Sequence, residues 1–219
     1  MRVSIIIPVK EINDYIRTAM PHYARLEEKD FEILIFPDEP TGEAFPEMNG
    51  KVRIIPSGKT GPAEKRDMAL QYAKGEIIAF IDDDAYPAPQ WLSRALPYFQ
   101  DPSVGAVGGP AVTAPEDDDW QKASGKVYES KLCSAGYTYR YLPEAKREVD
   151  DLPSVNLIVR ADLFRKVGGY DSNYYPGEDT KLCLDIVNSG HRIIYDPEIL
   201  VSRATFSMAL RCLSIPTIV

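Results

Sequence analysis

The run Ile77-Ile78-Ala79-Phe80-Ile81-Asp82-Asp83-Asp84 sets five apolar residues ahead of three consecutive carboxylates. An unbroken apolar run of this length reads as a strand buried on both faces, and it delivers the carboxylates at its carboxyl end, where open α/β sheets bind ligands. Three adjacent negative charges beside a core repel one another unless a cation neutralises them, and Mg²⁺ or Mn²⁺ favours carboxylate oxygens. The pattern predicts metal-assisted phosphate chemistry, whereas an acidic surface loop would follow polar sequence. A second acidic pair, Glu178-Asp179, follows the turn-rich Tyr174-Tyr175-Pro176-Gly177 and opens a helix. Alone, a carboxylate there is as well explained as a cap or a partner for the helix dipole. Set beside the first cluster, it completes what displacement at a phosphate-activated carbon needs: one carboxylate group for a metal and another for a base.

The elements that must position these residues alternate in the first half as βαβ units. Strands are predicted over 3–9, 31–36, 52–56 and 104–108, in addition to the acidic strand. Helices are predicted over 14–26, over 62–74 with Pro62 early and Gly75 as its stop, and over 89–100 with Trp91, Leu92, Ala95, Leu96 and Phe99 inward. After Gly108-Gly109-Pro110 the texture changes. An acidic loop at 116–119 precedes a helix over 120–132. A Tyr-rich stretch follows, in which Tyr137, Tyr139 and Tyr141 alternate as if packing one face of a strand or stacking on sugar rings. Residues 142–154 read as a mobile charged loop. A strand over 155–159, a short helix over 161–167, a helix over 178–189 and a last strand over 192–195 complete the pattern. The fold class expected is α/β, a Rossmann-like domain with a mostly parallel central sheet flanked by helices. One domain is expected over 1–219, with the change of texture dividing it into halves over 1–110 and 111–205. The apolar tail, 206–219, reads as an incomplete or membrane-surface element, short of the roughly 20 apolar residues a span needs.

The chain has 219 residues and a formal net charge of -8, which argues against a general nucleic-acid binder. Cys133, Cys183 and Cys212 lack metal-ligand spacing, so neither a disulfide scaffold nor a structural zinc site is expected. The amino terminus runs directly into Val3-Ser4-Ile5-Ile6-Ile7-Pro8 without the order of a signal peptide, which makes the cytoplasm, or the cytoplasmic face of a membrane, the expected location.

With these residues in place the chain resembles family 2 glycosyltransferases of the GT-A fold, from Val3 to about Val201. The matching blocks are Val3-Ser4-Ile5-Ile6-Ile7-Pro8-Val9, Gly61-Pro62-Ala63-Glu64-Lys65-Arg66-Asp67, Asp82-Asp83-Asp84 in the place of the family's DXD motif, Arg160 to Asp171 with Val167-Gly168-Gly169-Tyr170-Asp171, and Gly177-Glu178-Asp179. Their common order is more specific than any one block. The resemblance implies an inverting transfer of sugar from a nucleotide-sugar donor, a UDP-sugar before others, to a hydroxyl of a glycan or lipid-linked acceptor. It implies that Asp84, with Asp82, holds Mn²⁺ or Mg²⁺ against the donor diphosphate, and that Asp82 also faces the ribose or a metal-bound water. It places Pro8, Val9 and Asp38 at the nucleobase, Arg66 near the nucleotide and Asp83 in the same set as its most structural member. Asp179 is implied as the base that deprotonates the acceptor, with Glu178 beside it.

The chain departs from the family at two places: Pro37-Asp38-Glu39-Pro40 replaces an Asp-Asp-Gly-Ser texture, and Ser202-Arg203 stands where many relatives have a His near the metal. Arg carries no lone pair for a metal. A sugar-phosphate nucleotidyltransferase or a dinucleotide-dependent oxidoreductase needs a glycine-rich phosphate loop after the first strand, and residues 8–20 contain no glycine. A non-catalytic metal- or carbohydrate-binding module is the reading left if the acidic cluster only stabilises the fold.

Overall fold

The strands are short and rich in β-branched residues, and their alternation in side-chain direction splits the core into two halves. A computed structural model describes residues 1–174 and 176–205; the expectation for the tail, 206–219, falls outside them. The strands are β1 (Val3–Pro8), β2 (Phe31–Phe36), β3 (Val52–Ile54), β4 (Ile77–Phe80), β5 (Ala85–Pro87), β6 (Val104–Gly108), β7 (Ala111–Thr113), β8 (Arg147–Val149), β9 (Leu157–Arg160), β10 (Arg192–Tyr195) and β11 (Val201–Arg203). The main sheet has the order β3-β2-β1-β4-β9-β6-β10-β8. Parallel pairing joins β1 to β2 and β4, β2 to β3, and β6 to β10, while β9 runs against both β4 and β6. The carboxyl ends of β1, β2, β4, β6 and β10 therefore share one edge.

A smaller sheet, β5-β11-β7, is built from the segments that leave that edge. β5 follows the Asp run, β7 follows β6, and β11 follows β10. None of these three strands, nor β8 inside the charged stretch 142–154, is expected from sequence. Three residues are too few for periodicity to register.

Ile5, Ile7, Ile33, Ile35, Ile77 and Ala79 fill the core half shared with Ile16, Met20, Tyr23, Trp91 and Leu92. Those partners come from α1 (Asp14–Ala24) and, after α2 (Pro62–Asp67) and α3 (Ala69–Tyr72), from α4 (Trp91–Ala95). Ile6, Leu34, Phe36, Ile78 and Phe80 face the other way, onto Ala63 and Ala69 and onto the helices that come later in the chain. These are, after α5 (Asp119–Tyr128) and α6 (Lys131–Ser134), α7 (Ala161–Val167) and α8 (Glu178–Asn188).

Several helices are shorter than expected, each for a local reason. The helix predicted over 62–74 breaks at Met68 and stops at Tyr72, because Tyr72 O accepts from Arg53 and Lys74 N donates to the buried Glu32, 2.8 Å away. In 89–100 the α-helix gives way to a 3₁₀ turn over Leu96–Gln100, where Pro97 has no N–H to continue the ladder. Asp118 and Gln121 form a reciprocal capping box that starts α5, and Ser130 caps α6 as a separate helix. The Tyr-rich stretch is a 3₁₀ helix, Ala135–Arg140, rather than a strand. Tyr139 is buried and donates to Asp151 O, Tyr137 is exposed, and Tyr141 stacks on Tyr128 at 5.4 Å.

Asn156 joins the two sheets. Fully buried, it accepts from Trp91 Nε1 at 2.8 Å and donates to Ile199 O at 2.7 Å and Pro110 O at 3.3 Å. Asn156→Ala would leave the buried indole N–H of Trp91 and the carbonyl of Ile199 without partners, while Pro110 O keeps its bond from Val201 N, and is expected to lower unfolding stability by about 2–4 kcal/mol. Urea denaturation checks this, and a loss below roughly 0.5 kcal/mol, the scale of an ordinary surface change, would show that the joint is dispensable.

Candidate active site

The carboxylates that leave the shared edge are half-buried, so each needs a counter-charge nearby. Two come from adjacent residues of α2. Lys65 and Arg66 are both buried, an uncommon state for either side chain unless paired. Lys65 Nζ donates to Asp38, beyond β2, and to Val9 O at 2.5 Å, beyond β1. Arg66 Nη2 donates to Asp82 Oδ1 at 2.8 Å, beyond β4. The start of α2 at Gly61-Pro62 thus lays one helix across three strand ends. Pro8, buried at the end of β1, pairs in register with Phe36.

The three aspartates diverge. Asp83 Oδ2 accepts from Asn13 Nδ2 at 2.5 Å, and the same Asn13 caps α1 through its side-chain oxygen, so Asp83 is tied to a helix start. Asp82 and Asp84 turn toward Arg203 in β11. Arg203 Nε lies 3.2 Å from both oxygens of Asp84, and its Nη2 lies 3.5 Å from Asp82 Oδ2. Burial pushes the Asp84 carboxyl up to about 6, against the lowering effect of Arg203. Burial raises Asp83 as well, opposed by its bond from Asn13.

The second acidic pair reaches the same place from the opposite strand direction. Because β9 runs against β4, the turn at Ser154–Asn156 that precedes it lies at the shared edge. Ser154 N donates to Asp179 Oδ2 at 3.1 Å, and Asp179 Oδ1 is buried with no hydrogen-bond partner. Burial raises the Asp179 carboxyl, and the nearby Arg66 works against that rise. Arg66 Nη1 stands 4.0 Å from Glu178 Oε1, so one guanidinium spans from Asp82 to the start of α8. Glu178 is buried, and its Oε2 accepts from Gly177 N.

Arg66, Asp82, Asp84, Glu178 and Asp179 therefore form one cluster, Asp83 flanks it through Asn13, and Asp38 with Val9 forms a neighbouring group around Lys65. Lys65 and Asn13 were not singled out from sequence. Their signal is the adjacency of Lys65 to Arg66 in a helix opened by proline, and an Asn just before the first helix. Arg203 is visible in the sequence only as a departure; its pairing with Asp84 follows from the register of β11 on β5, which sets Arg203 opposite Ala85.

The donor set suits a hard divalent cation. Asp38, Asp82, Asp83, Asp84, Glu178 and Asp179 outnumber Lys65, Arg66 and Arg203, leaving excess negative charge. Among the described residues no three carboxylate, imidazole or thiolate groups converge on one point. A cation would take Asp82 and Asp84 from the protein and the rest of its shell from phosphate oxygens and water, the usual way Mg²⁺ is held.

The mostly parallel sheet and this carboxyl-edge cluster define an α/β protein with a ligand edge, and comparison with known proteins assigns the family. Glycosyl transferase family 2 matches residues 4–168, and the chain belongs to it. The pre-mycofactocin glycosyltransferase of Mycobacterium tuberculosis is 32% identical over 142 residues, covering 65% of this chain and 30% of that protein. The glucosyl-dolichyl phosphate glucuronosyltransferase of Haloferax volcanii is 28% identical over 156 residues, covering 67% of this chain and 48% of that protein. The chain thus spans half or less of the length of these curated relatives. Among solved structures, the mannosyltransferase PcManGT from Pyrobaculum calidifontis, in complex with GDP-Man and Mn²⁺, superposes with a TM-score of 0.69 at 20% identity, covering 97% of this chain and 59% of that one. TarS of Staphylococcus aureus, in complex with UDP-GlcNAc, gives 0.66 at 18% identity, covering 95% and 61%. The fold is GT-A.

Asp67, next to Arg66, fixes the far side of the cluster. Its Oδ1 accepts from Tyr170 N at 2.7 Å, against Gly169, whose φ of +77° and lack of a Cβ admit the carboxylate. Burial pushes Asp67 up to about 6 from 3.8. Between those values the folded chain keeps a proton that the unfolded chain has lost, so this contribution to stability falls as pH rises and is gone above about 6. Asp67→Asn still accepts from Tyr170 N. It is expected to change stability little at pH 4 and to raise it by on the order of 2 kcal/mol at pH 8, read from denaturation at both pH values. An equal effect at the two pH values would dismiss the buried charge as the cause.

Proposed function

We propose that this chain carries the catalytic core of an inverting glycosyltransferase, which moves a sugar from a nucleotide-sugar donor to a hydroxyl of a glycan or lipid-linked acceptor with a divalent cation. The observation that carries the reading is the single guanidinium of Arg66 reaching both Asp82 and the Glu178-Asp179 pair, next to a buried, unpartnered Asp179 oxygen. Donor-side and acceptor-side carboxylates are thereby held in one cluster, as a direct displacement requires.

In this reading the nucleobase lies against Pro8 and Val9, and Asp38 accepts a base N–H with the oxygen that Lys65 leaves free. A carboxylate acceptor suits the ring N–H of uracil and equally that of guanine, so UDP- and GDP-sugars are both to be tested, UDP first. Such donors accompany the neighbours TarS and PcManGT. Asp82 and Asp84 would hold Mn²⁺ or Mg²⁺ against the diphosphate, where the cation supplies Lewis-acid stabilisation of the leaving group. Asp179 takes the acceptor proton through Oδ1 while Ser154 N orients its other oxygen. The hydroxyl attacks the anomeric carbon opposite the departing diphosphate, which inverts the configuration. Burial raises the Asp179 carboxyl and so makes it a stronger base than an exposed carboxylate, while Arg66 works against that rise. The glycan or lipid-linked class of acceptor is taken from relatives such as the dolichyl phosphate enzyme. Among the described residues no helix is long and apolar enough to cross a membrane; peripheral attachment through residues 206–219 stays a proposal.

Asp179→Asn is expected to leave donor affinity within a few-fold of the parent and to lower transfer by roughly 10²-fold or more. Donor affinity, melting temperature and transfer rate are measured on the same variant, since losing a residue that only caps α8 would cost about 1 kcal/mol of stability, seen as a lowered melting temperature, and spare turnover. The cation is assigned by a second comparison. Asp84→Ala is expected to abolish divalent-dependent nucleotide-sugar binding in calorimetry, whereas Asp83→Ala, which loses its tie to Asn13, is expected to be much milder. Equal losses would contradict that division of roles.

A further inference from the structure

We propose that Arg203 is a built-in counter-ion for Asp82 and Asp84 that gives up its place to a divalent cation only as a nucleoside diphosphate arrives, so that nucleotide and metal bind as a coupled pair. The inference rests on the glycosyltransferase reading for the identity of the nucleotide ligand and goes beyond it in assigning a role to Arg203.

Backbone pairing fixes the arrangement. Arg203 stands opposite Ala85 in the register of β11 on β5, and Ala204 N donates to Asp84 O at 2.9 Å. From that position its guanidinium covers both oxygens of Asp84 and reaches Asp82. A divalent cation held by Asp82 and Asp84 needs those same oxygens. Arg203 cannot share the shell, because guanidinium has no lone pair to give and stays protonated. Nor can it stay in place beside the ion, since two positive charges a few ångströms apart repel strongly where water is scarce. Metal occupancy therefore requires Arg203 to leave.

The structure gives it somewhere to go. Its side chain is 37% exposed, and it lines a cavity of about 280 Å³ with Thr113, Gly125, Tyr128 and Tyr141, so it moves without opening the core. Leaving two carboxylates is unfavourable unless another anion takes the guanidinium, and diphosphate oxygens match its planar fork. A nucleoside diphosphate at this edge supplies both that anion and the remaining oxygens for the cation. Metal alone must evict Arg203 into water, and nucleotide alone meets an excess of carboxylates. Each ligand then raises the affinity of the other by the same factor, as linkage requires.

The test is a binding cycle on the full chain, with Mn²⁺ followed by the loss of its free-ion electron paramagnetic resonance signal, in the absence and presence of UDP, GDP or dTDP, with correction for the nucleotide's own Mn²⁺ binding. The parent is expected to bind Mn²⁺ weakly alone and at least about 10-fold more tightly with its nucleotide. Arg203→Gln is expected to bind Mn²⁺ alone about 5–10-fold more tightly than the parent and to show a coupling factor reduced at least about 5-fold. Arg203→Lys, which keeps the charge but cannot grip both carboxylates, is expected to fall between them. It also serves if Arg203→Gln fails to fold. A mere loss of positive charge would shift Mn²⁺ affinity equally with and without nucleotide, so an unchanged coupling factor in both variants overturns the proposal while leaving the glycosyltransferase reading intact. No Mn²⁺ binding by the parent with any of the nucleotides would overturn both the metal assignment and this inference.

Discussion

The site depends on one constraint: carboxylates placed at the ends of buried strands must be neutralised by cations that the fold itself delivers. Three parallel strands end side by side, and the residues just beyond β2 and β4 are acidic. Lys65 and Arg66 answer them from consecutive positions of a short helix, which is possible only if α2 crosses the strand ends with its first turn facing inward. Small residues permit that approach: Ala63 packs in the core, and Gly169 leaves room for Asp67. Breaking one partner of such a pair strands a buried charge and costs far more than the intact pair contributes, so the arrangement specifies geometry more than it adds stability.

The same constraint explains the small sheet. β5, β7 and β11 are each three residues long and would not persist alone. They exist as continuations of strands or loops that already leave the carboxyl edge, and their pairing brings Arg203 to the acidic run from more than a hundred residues away in sequence. Asn156 ties this sheet to the main one, with a buried amide on three partners from three segments. Chain segments that position the cluster are thus fixed by polar groups inside an apolar frame, where an unsatisfied partner is expensive.

Much of the frame was legible in the sequence because long apolar runs have few alternatives. Val3–Pro8, Phe31–Phe36 and the acidic strand read directly, as did the helices opened by Asp14, Ala161 and Glu178. What was not legible depends on distant partners. The three-residue strands carry no periodicity, Tyr137, Tyr139 and Tyr141 look like a strand face until their separate contacts are known, and Tyr72 ends its helix for the sake of Arg53 and Glu32. In the site, the acidic residues announce themselves by type and crowding. Their basic partners do not, since Lys65 and Arg66 in a short helix resemble any solvated pair. Arg203 looked like the absence of a histidine rather than the presence of a counter-ion.

Arg66 shows what such a hidden partner adds. By contacting Asp82 and standing next to Glu178 and Asp179, it places the two acidic clusters in one electrostatic unit, so the charge state of either end is felt at the other. Asp82 raises the Asp179 carboxyl while Arg66 lowers it. Any cation that reached Asp82 would cancel the first of these effects and leave the second, making Asp179 less basic but more fully ionised. Under the proposed chemistry that is the useful direction, because a base that must accept a proton at neutral pH has to be deprotonated when both substrates are bound. The readiness of the base would then follow from the charge at the donor side, through Asp82, without any movement of the backbone.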